Sequence, residues 1–266
     1  MQVEGIITER RGCDTRRGSM IDLQHLLAQI GSETRLHLLG ILRHRDLGIQ
    51  EISDELFVSS TDVTSGLNLL IEAGMVERTP SGGYRDSAFG ALVWENLAPF
   101  RYVASHSEYL RAHDLSTIPV HLLRSIDRLS DASIISVRTE AVEDVKRQWT
   151  NIAGEFSIIT ESLTPELVSM MVHLASLGVK VRCLMQNGVA VDLLAPHLGA
   201  KNAPIEVRWT DHGRMLLHVS HNFCLLALKK KRGGADPDHI LLGTDLSSIS
   251  WCRDLFAYHW QESRLK

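Results

Sequence analysis

Cysteine is scarce in this sequence, and long hydrophobic runs are absent. No two of the cysteines among its 266 residues form a C-x-x-C pair; they are Cys13, Cys183, Cys224 and Cys252. This spacing argues against a disulfide framework or a zinc site and is typical of reduced thiols in a cytosol. No apolar run approaches the roughly 20 residues that span a bilayer, and residues 1–20 lack the apolar core of a signal peptide. We therefore expect a cytoplasmic protein.

Positive charge is also scarce, above all in the first third of the chain. The formal net charge is -4, and residues 1–97 hold nine arginines and no lysine against fourteen acidic residues, a local charge of −5. A protein that binds nucleic acid usually carries a basic field over its contact face. This balance therefore argues against binding that depends on electrostatics alone. The hydrophobic fraction of 44% is ordinary for a globular protein, and the length allows two domains.

Residues 20–56 show the apolar spacing of short helices. Gly31-Ser32-Glu33 is predicted to divide the first stretch into two helices, with Ser32 capping the second. A further short helix is predicted over Ile49–Leu56. After the tight connection at residues 57–60, Ser59 and Asp62 match the S-x-x-[DE] pattern that caps the start of another helix.

The two faces of this last helix differ in character. Val63, Leu67 and Leu70 recur at helical spacing and predict a buried stripe, and Gly74 ends the helix where left-handed backbone is needed. The helix carries no lysine or arginine, so it cannot make bidentate contacts to guanine. The residues predicted to face outward are polar: Thr61, Thr64, Ser65 and Asn68.

A hairpin is predicted directly after this helix. Residues 75–79 favour a strand, Pro80-Ser81-Gly82-Gly83 is a strong turn signal, and Tyr84 begins the return strand. Helices, a turn, a further helix and a hairpin follow one another in the order of a winged helix-turn-helix. The strings IGSETRLHLLGIL, IQEISDEL, VSSTDVTSGLNLLIEAGMVER and GGYRDSAFG resemble the ArsR-like winged-helix domains of archaeal regulators.

This resemblance implies a specific set of DNA contacts. In that family the helix after the turn enters the major groove, and the hairpin, or wing, touches the backbone or the minor groove. The resemblance assigns DNA contact to Ser59, Ser60, Thr61, Thr64, Ser65, Asn68, Ser81, Gly82, Tyr84 and Arg85. Because basic residues are missing from the helix, a winged helix kept for protein contact or dimerisation stays open as the alternative. Residues 1–19, with four arginines, are predicted to be a flexible arm that either adds positive charge or has no role.

A second resemblance covers most of the remaining chain. Residues 98–130 are predicted to be a helical connector, and within it lies the motif His113-Asp114-Leu115-Ser116-x-Ile118-Pro119. The motif resembles the junction of methanogen regulators in which a winged helix precedes a methanogenesis-regulatory output domain. The closing segment LLGTDLSSISWCRDLFAYHWQESRL resembles the last strand and helix of that family. The resemblance implies a transcriptional regulator that binds operator DNA and senses a small-molecule effector. We expect a homodimer, because two half-sites improve specificity.

Residues 131–266 alternate between strand and helix patterns, which predicts a mixed sheet covered by helices. Thr164 and Pro165 are predicted to begin a helix that Gly178 closes, and further helices are expected over 139–153, 191–198 and 246–264. The predicted strands are 134–137, 156–160, 179–185 (half-buried), 205–209, 215–219, 223–228 and 240–244. The predicted fold class is α+β multidomain, with a winged helix-turn-helix over 20–97 joined by the connector to an α/β sensor domain over 131–266.

The element order of the sensor domain also resembles the phospholipase-D-like fold, which several archaeal regulators use as an effector domain. The catalytic form of that fold carries His-x-Lys followed by an aspartate. The comparable stretch, Leu216–Phe223, lacks the lysine and the aspartate. The resemblance therefore predicts that the chain is not an enzyme, and no cofactor is expected.

The effector is expected at the carboxyl ends of the strands, where open α/β sheets bind ligands. Arg182 and Arg208 lie within strands, where they either bind an anionic effector or lie on the solvent face of an edge strand. The predicted ligand-binding set is Thr160, Arg182, Arg208 and His218. No metal site is predicted from His212, His218, His221 and Cys224, because His218 and His221 point to opposite faces of a strand.

Overall fold

The computed structural model describes residues 23–136, 147–186, 194–197, 205–211 and 215–263. The chain divides into two compact units, an N-terminal unit of Met1–Asn96 and a C-terminal unit of Leu97–Lys266. The predicted arm over residues 1–19, with Arg10, Arg11, Arg16 and Arg17, lies outside the described residues. So do residues 139–146 of one predicted helix and residues 191–193 and 198 of another.

The described part of the N-terminal unit consists of helices and one hairpin. Its elements are α1 (Leu23–Ile30), α2 (Glu33–Ile41), α3 (Ile49–Leu56), α4 (Ser60–Glu72), β1 (Val76–Arg78), β2 (Tyr84–Asp86) and α5 (Ala88–Asn96). The predicted break at Gly31 and Ser32 is confirmed, since Ser32 is the N-cap of α2. The predicted stripe of α4 is confirmed as well: Val63, Leu67 and Leu70 are almost completely buried.

Local chemistry fixes both ends of α4. The Ser59 hydroxyl accepts a hydrogen bond from the Asp62 N–H at 3.1 Å and donates to the Asp62 carboxylate at 2.6 Å. This is the predicted cap, and it satisfies one of the N–H groups that a helix start leaves unpaired. At the other end Gly74 has a φ of 71°, which side chains other than glycine rarely adopt.

The hairpin of β1 and β2 gains a third pairing partner from the segment before α3. Leu47 exchanges two backbone hydrogen bonds with Tyr84, at 3.0 and 2.9 Å. Glu77 stands directly opposite Arg85 in the register of β1 and β2. Because side chains alternate along a strand, Tyr84 faces the interior of the unit while Arg85 faces solvent.

The C-terminal unit is a seven-stranded mixed sheet with helices on both faces. Its strand order is β3-β9-β8-β7-β4-β5-β6, in which β4, β5 and β6 are parallel and the other pairs antiparallel. Its elements are α6 (Ala98–Ser105), α7 (Ser107–Ala112), α8 (Val120–Leu123), a 3-10 helix (Ile126–Leu129), β3 (Ser133–Ile135), β4 (Glu155–Thr160), α9 (Pro165–Ser176), β5 (Lys180–Gln186), a 3-10 turn (Ala195–His197), β6 (Ile205–Thr210), β7 (Leu216–Val219), β8 (Cys224–Lys229), β9 (Ala235–Gly243) and α10 (Leu246–Glu262).

The predicted mixed sheet is confirmed, with small differences in strand ends. The largest is in β9, which begins at Ala235 rather than at Ile240. The predicted start of α9 is also confirmed, since the Thr164 hydroxyl accepts from the Leu167 N–H and Pro165 follows it. The predicted alternation of β5 is confirmed at its start, where Lys180 is exposed and Val181 buried, but residues 183–185 are all buried.

Two hydrophobic cores lie on the two faces of this sheet. One face packs against α10, with Trp251 and Phe256 fully buried, and against residues 98–130, which contribute Tyr102 and Leu122. The other face packs against α9 and includes Phe156 and Phe223 among its buried residues. The segment predicted to be a connector therefore forms part of the core of the C-terminal unit.

Candidate nucleic-acid interface and ligand sites

The outward face of α4 is a surface of hydroxyl and amide groups. Thr61, Ser65 and Asn68 are exposed, as the sequence predicts. Thr64 is half-buried, and its hydroxyl donates to the Ser60 carbonyl at 2.7 Å. The exposed groups can donate or accept hydrogen bonds at base edges and phosphates.

The tip of the hairpin is exposed, but one predicted contact residue is not. Ser81 and Gly82 face solvent. Tyr84 is only 6% exposed, so the expectation that it touches DNA is wrong. Tyr84 alternates with exposed Arg85 along β2, so its ring lies on the inner face of the hairpin.

Arg85 is exposed, but its charge is already matched. Its guanidinium donates to the Glu77 carboxylate at 2.7 Å. The hydrogen bond to Glu77, together with the attraction between the charges, raises the pKa of Arg85 above its ordinary value. A phosphate that binds Arg85 must therefore compete with Glu77.

Carboxylates pair with three of the five arginines in the described part of the N-terminal unit, and Arg35 donates to the backbone carbonyls of Gln29 and Ala28. Arg78 differs, because its guanidinium lies over the Tyr84 ring at 5.5 Å and has no carboxylate partner among the described residues. It is exposed at the base of the hairpin, and sequence reasoning missed it. The hairpin places Arg78 directly opposite Tyr84, and a prediction of this pairing could have identified Arg78 as a contact residue. The other pairs are Arg43 with Asp86 and Glu95, Arg45 with Glu55, and Arg85 with Glu77.

The four residues predicted to bind an effector do not form one site. Arg182 and Arg208 lie on the face of the sheet that packs against α10, where both guanidinium groups stack on Trp260. His218 and Thr160 lie on the opposite face, since the strand neighbours of each belong to the core beneath α10. The alternation of side chains along each strand separates the two pairs.

The two arginines are held by aromatic rings of α10. The Arg182 guanidinium lies 5.0 Å from the Phe256 ring and is paired with Glu155. The Arg208 guanidinium lies 4.4 Å from the Trp260 ring, and its Nη1 donates to the Trp260 carbonyl at 3.1 Å. Cation–π contacts of this kind favour a structural role for both side chains.

His218 is buried with neither ring nitrogen hydrogen-bonded among the described residues. Burial lowers the pKa of His218 to about 4, so the ring is neutral at physiological pH. Its ring centroid lies 5.7 Å from that of Phe156 and 6.1 Å from that of Trp149. The indole N–H of Trp149 is likewise buried without a partner. Buried polar groups normally have partners, so unsatisfied groups on neighbouring rings mark a candidate ligand or water site.

Two of the larger cavities among the described residues of the C-terminal unit can hold small molecules. One, of about 730 Å³, runs along Trp149 and α9 and includes Glu166 and His173 in its wall. The other, of about 450 Å³, is polar, and sequence reasoning missed it because its walls come from distant parts of the chain. Its lining residues are Asp114, Ser116, Thr117, Pro119, Asp211, Lys229, Tyr258, His259 and Glu262.

Thr160 has a structural role at the end of β4. Its hydroxyl donates to the Ser162 carbonyl at 2.7 Å and accepts from the Ser162 N–H at 3.2 Å. Within the described ranges, no group of three or more histidine, cysteine or acidic side chains is arranged to hold a metal ion. His212 lies outside those ranges. The described helices include none that is both long and apolar enough to cross a membrane.

Comparisons with known proteins give one curated relative and several weak structural likenesses. No protein-family model matches the chain. The methanogenesis regulatory protein FilR1 of Methanothrix harundinacea (strain 6Ac) is 20% identical over 250 residues, which are 88% of this chain and 56% of the relative. The chain thus spans about half the length of this relative.

The structural likenesses are too low to carry an argument about activity. TrmBL2, an archaeal chromatin protein, matches with a TM-score of 0.39 at 12% identity, over 91% of this chain and 99% of that one. The S-adenosylmethionine-dependent methyltransferase SibL matches with a TM-score of 0.26 at 15% identity, over 71% of this chain and 65% of that one. The prediction that the chain is not an enzyme is therefore not carried further, since enzymes are among the proteins with such weak structural likeness.

Proposed function

We propose that the chain is a DNA-binding transcriptional regulator whose N-terminal unit is a winged helix-turn-helix. The observation that carries the proposal is the side-chain-capped helix α4, whose exposed face is polar and which leads directly into a hairpin with an exposed tip. This arrangement suits insertion of α4 into a major groove with the hairpin beside it. The name of the curated relative, a regulatory protein, supports the proposal.

The proposed base-reading residues are Thr61, Ser65 and Asn68, with phosphate contacts from Ser59, Ser60, Thr64, Ser81, Gly82 and Arg85. Arg78 adds a phosphate contact at the base of the hairpin. The test is fluorescence anisotropy of the full chain with a duplex selected from a random pool, at several salt concentrations. Affinity should fall linearly with the logarithm of salt concentration. Absence of binding at low salt contradicts the proposal.

The arginines of the hairpin give a sharper prediction. Arg78→Ala should weaken binding to every duplex about equally and reduce the salt slope by about 1, because it removes one phosphate contact. Glu77→Gln should strengthen binding and increase the salt slope. It removes the carboxylate that pairs with Arg85, so Arg85 can bind a phosphate instead. The measurement is the salt slope of the dissociation constant for both variants.

The matched control for these variants is Arg45→Ala, whose guanidinium is paired with Glu55. It should change the salt slope less than Arg78→Ala does. Equal salt slopes for the wild-type chain and Arg78→Ala would show that Arg78 does not contact a phosphate.

A protein-interaction role for the N-terminal unit is the second candidate. It is favoured by the pairing of Arg43, Arg45 and Arg85 with carboxylates, together with the absence of basic residues on α4. In that case the exposed apolar residues of α1 and α5, among them Leu27 and Leu92, would bind a partner protein. A full chain that binds no selected duplex but forms a stable protein complex would favour this candidate.

We further propose that the C-terminal unit senses a small molecule at His218. Neutral His218 and the Trp149 indole offer unsatisfied hydrogen-bonding groups next to a cavity of suitable size. A separate site is proposed at Arg208, on the face of the sheet that packs against α10. Its Nε is buried without a partner and could bind an anionic effector. The family resemblance extends this proposal to a phospholipase-D-like sensor domain in a cytoplasmic homodimer, and sedimentation of the full chain tests the dimer.

His218→Leu is expected to make the stability of the chain less dependent on pH. The folded protein excludes a proton from His218 until the pH nears 4, whereas the unfolded chain binds it at about pH 6.5. The wild-type chain therefore loses stability as the pH falls from about 6.5 towards 4. The leucine variant should lose less over this range, and at pH 7 it should gain about 1 kcal/mol, since no unsatisfied ring stays buried.

Urea unfolding followed by circular dichroism at several pH values measures this effect. His121→Leu is the control, because His121 is exposed. Parallel pH profiles for the wild-type chain and His218→Leu would show that His218 does not titrate as its burial requires.

A further inference from the structure

Phe57 combines an unfavourable backbone conformation with almost complete exposure. Its φ of 55° and ψ of 38° lie in the left-handed region, and it is the one described residue other than glycine with a positive φ. A Cβ atom is disfavoured there, so glycine or asparagine usually takes such positions. Its side chain is 94% exposed. Neither stability nor burial explains a phenylalanine at this position.

The turn between α3 and α4 holds Phe57 in this conformation. The Ser53 carbonyl accepts from the N–H groups of both Phe57 and Val58. The Ser53 hydroxyl donates to the Val58 carbonyl at 2.6 Å. Val58, just before the Ser59 cap, and buried Val63 occupy the positions of a hydrophobic staple. Strained residues that their surroundings hold in place are concentrated at functional sites.

We propose that Phe57 is a specificity-determining DNA contact that packs against the methyl group of a thymine. The inference rests on the proposed function of the N-terminal unit. Phe57 lies two residues before the Ser59 cap, at the end of α4 that reads base edges in helix-turn-helix proteins. Apolar side chains recognise the thymine methyl group in the major groove. With no basic residue on α4, such a contact supplies specificity that its hydroxyl groups lack.

The surroundings of Phe57 favour DNA over a protein partner. Within residues 49–72, Phe57 is the one large hydrophobic side chain that is exposed. Its exposed neighbours, Asp54, Glu55, Ser59 and Ser60, are polar. A protein interface has a contiguous apolar patch at its centre, whereas a single ring beside the hydroxyl groups of Ser59 and Ser60 matches a single methyl group among phosphates and base edges. The two carboxylates are engaged, Glu55 by Arg45 and Asp54 by Gln50.

The test compares thymine with uracil, which lacks only the methyl group. The full chain is titrated with its selected duplex and with duplexes in which deoxyuridine replaces thymidine at one position at a time. For the wild-type chain, one replacement should weaken binding about fourfold, the effect of one buried methyl group. Phe57→Ala should bind the thymine duplex about tenfold more weakly and should not distinguish thymine from uracil at that position.

Two further variants separate contact from strain. Leu246→Ala removes an exposed apolar side chain of the C-terminal unit and should bind like the wild-type chain. Phe57→Asn should unfold at the same or a higher temperature than the wild-type chain, because asparagine tolerates the left-handed region, and yet bind DNA as weakly as Phe57→Ala.

The outcomes distinguish the inference from the proposed function. If the wild-type chain binds its duplex but no replacement of thymidine by deoxyuridine changes its affinity, the inference is overturned and the proposed function stands. If Phe57→Ala changes only the oligomeric state seen by sedimentation, Phe57 contacts protein and the inference is overturned. If the wild-type chain binds no duplex at low salt, the proposed function fails as well.

Discussion

Replacing Asp236 with alanine is expected to lower the free energy of unfolding of the C-terminal unit by about 1–3 kcal/mol, the cost of leaving a buried hydrogen-bonding group without its partner. The Asp236 side chain is only 4% exposed and is bound by Lys230 at 3.0 Å, His239 at 2.9 Å and His113 at 3.1 Å. His113 is also buried, and its other ring nitrogen lies 2.7 Å from the Tyr109 carbonyl. Alanine would remove the carboxylate that these three side chains share and leave the buried His113 ring without its partner on β9.

The contribution of Asp236 also depends on pH. Burial by itself raises the pKa of Asp236, but hydrogen bonds from the Asp238 N–H, Lys230, His239 and His113 outweigh it and hold the pKa well below its usual range. A lowered pKa stabilises the folded state above the pKa of the unfolded carboxyl, about 3.9. This stability is lost as the pH falls below that value. Wild-type stability should therefore fall more steeply below pH 4 than that of Asp236→Ala.

Urea unfolding of the full chain between pH 2.5 and pH 7, conditions chosen to bracket about 3.9, measures both effects. Glu206→Ala is the matched control: Glu206 pairs with Lys180 at 3.1 Å on the same sheet, but both side chains are about half exposed. Exposed pairs contribute about 0–1 kcal/mol. Equal losses for Asp236→Ala and Glu206→Ala would contradict a buried network at Asp236.

Sequence reasoning was most accurate where neighbouring residues determine the backbone. Ser59 and Asp62 cap α4 as predicted, and Gly74 and Gly178 take the left-handed conformation just after α4 and α9. Each signal acts within one helical turn, so the residues nearby are sufficient to predict it.

Predictions about strand faces failed because a face depends on partners far along the chain. Tyr84 was expected outside, but it lies on the inner face of β2. β5 alternates as expected only at its start, because residues 183–185 lie between β4 and β6 with helices over both faces. Arg182 and His218 were placed in one site, although the sheet separates them.

Contacts between distant residues were beyond sequence reasoning altogether. The His113–Asp236 pair joins the junction motif to β9. The motif carries the histidine, but nothing near it indicates which of the chain's acidic residues it meets. Phe57 is a different case, because its conformation breaks a local rule. A sequence pattern that favours glycine or asparagine at that turn could have identified it as an anomaly.

Gly90→Ala is expected to unfold the N-terminal unit and so to abolish the proposed DNA binding. A Cβ atom on Gly90 would lie 2.0 Å from the Met75 carbonyl oxygen and 2.8 Å from its carbon. Both are backbone atoms, and that oxygen also accepts from the Ser87 N–H at 2.9 Å, one of the bonds that fix the start of α5. Relief of the clash requires α5 to move away from Met75. Overpacking of a well-packed core costs about 1–3 kcal/mol, and a clash with backbone should exceed that range.

Gly74→Ala separates this clash from backbone strain. Gly74 has a φ of 71°, but a Cβ atom there would meet nothing within 4 Å. Its alanine variant should therefore lose only about 1–2 kcal/mol, the cost of a left-handed residue, and should still bind DNA. Thermal unfolding by circular dichroism and anisotropy with the selected duplex compare the two variants. If Gly90→Ala is no less stable than Gly74→Ala, α5 does not pack against Met75 as closely as the structure places it.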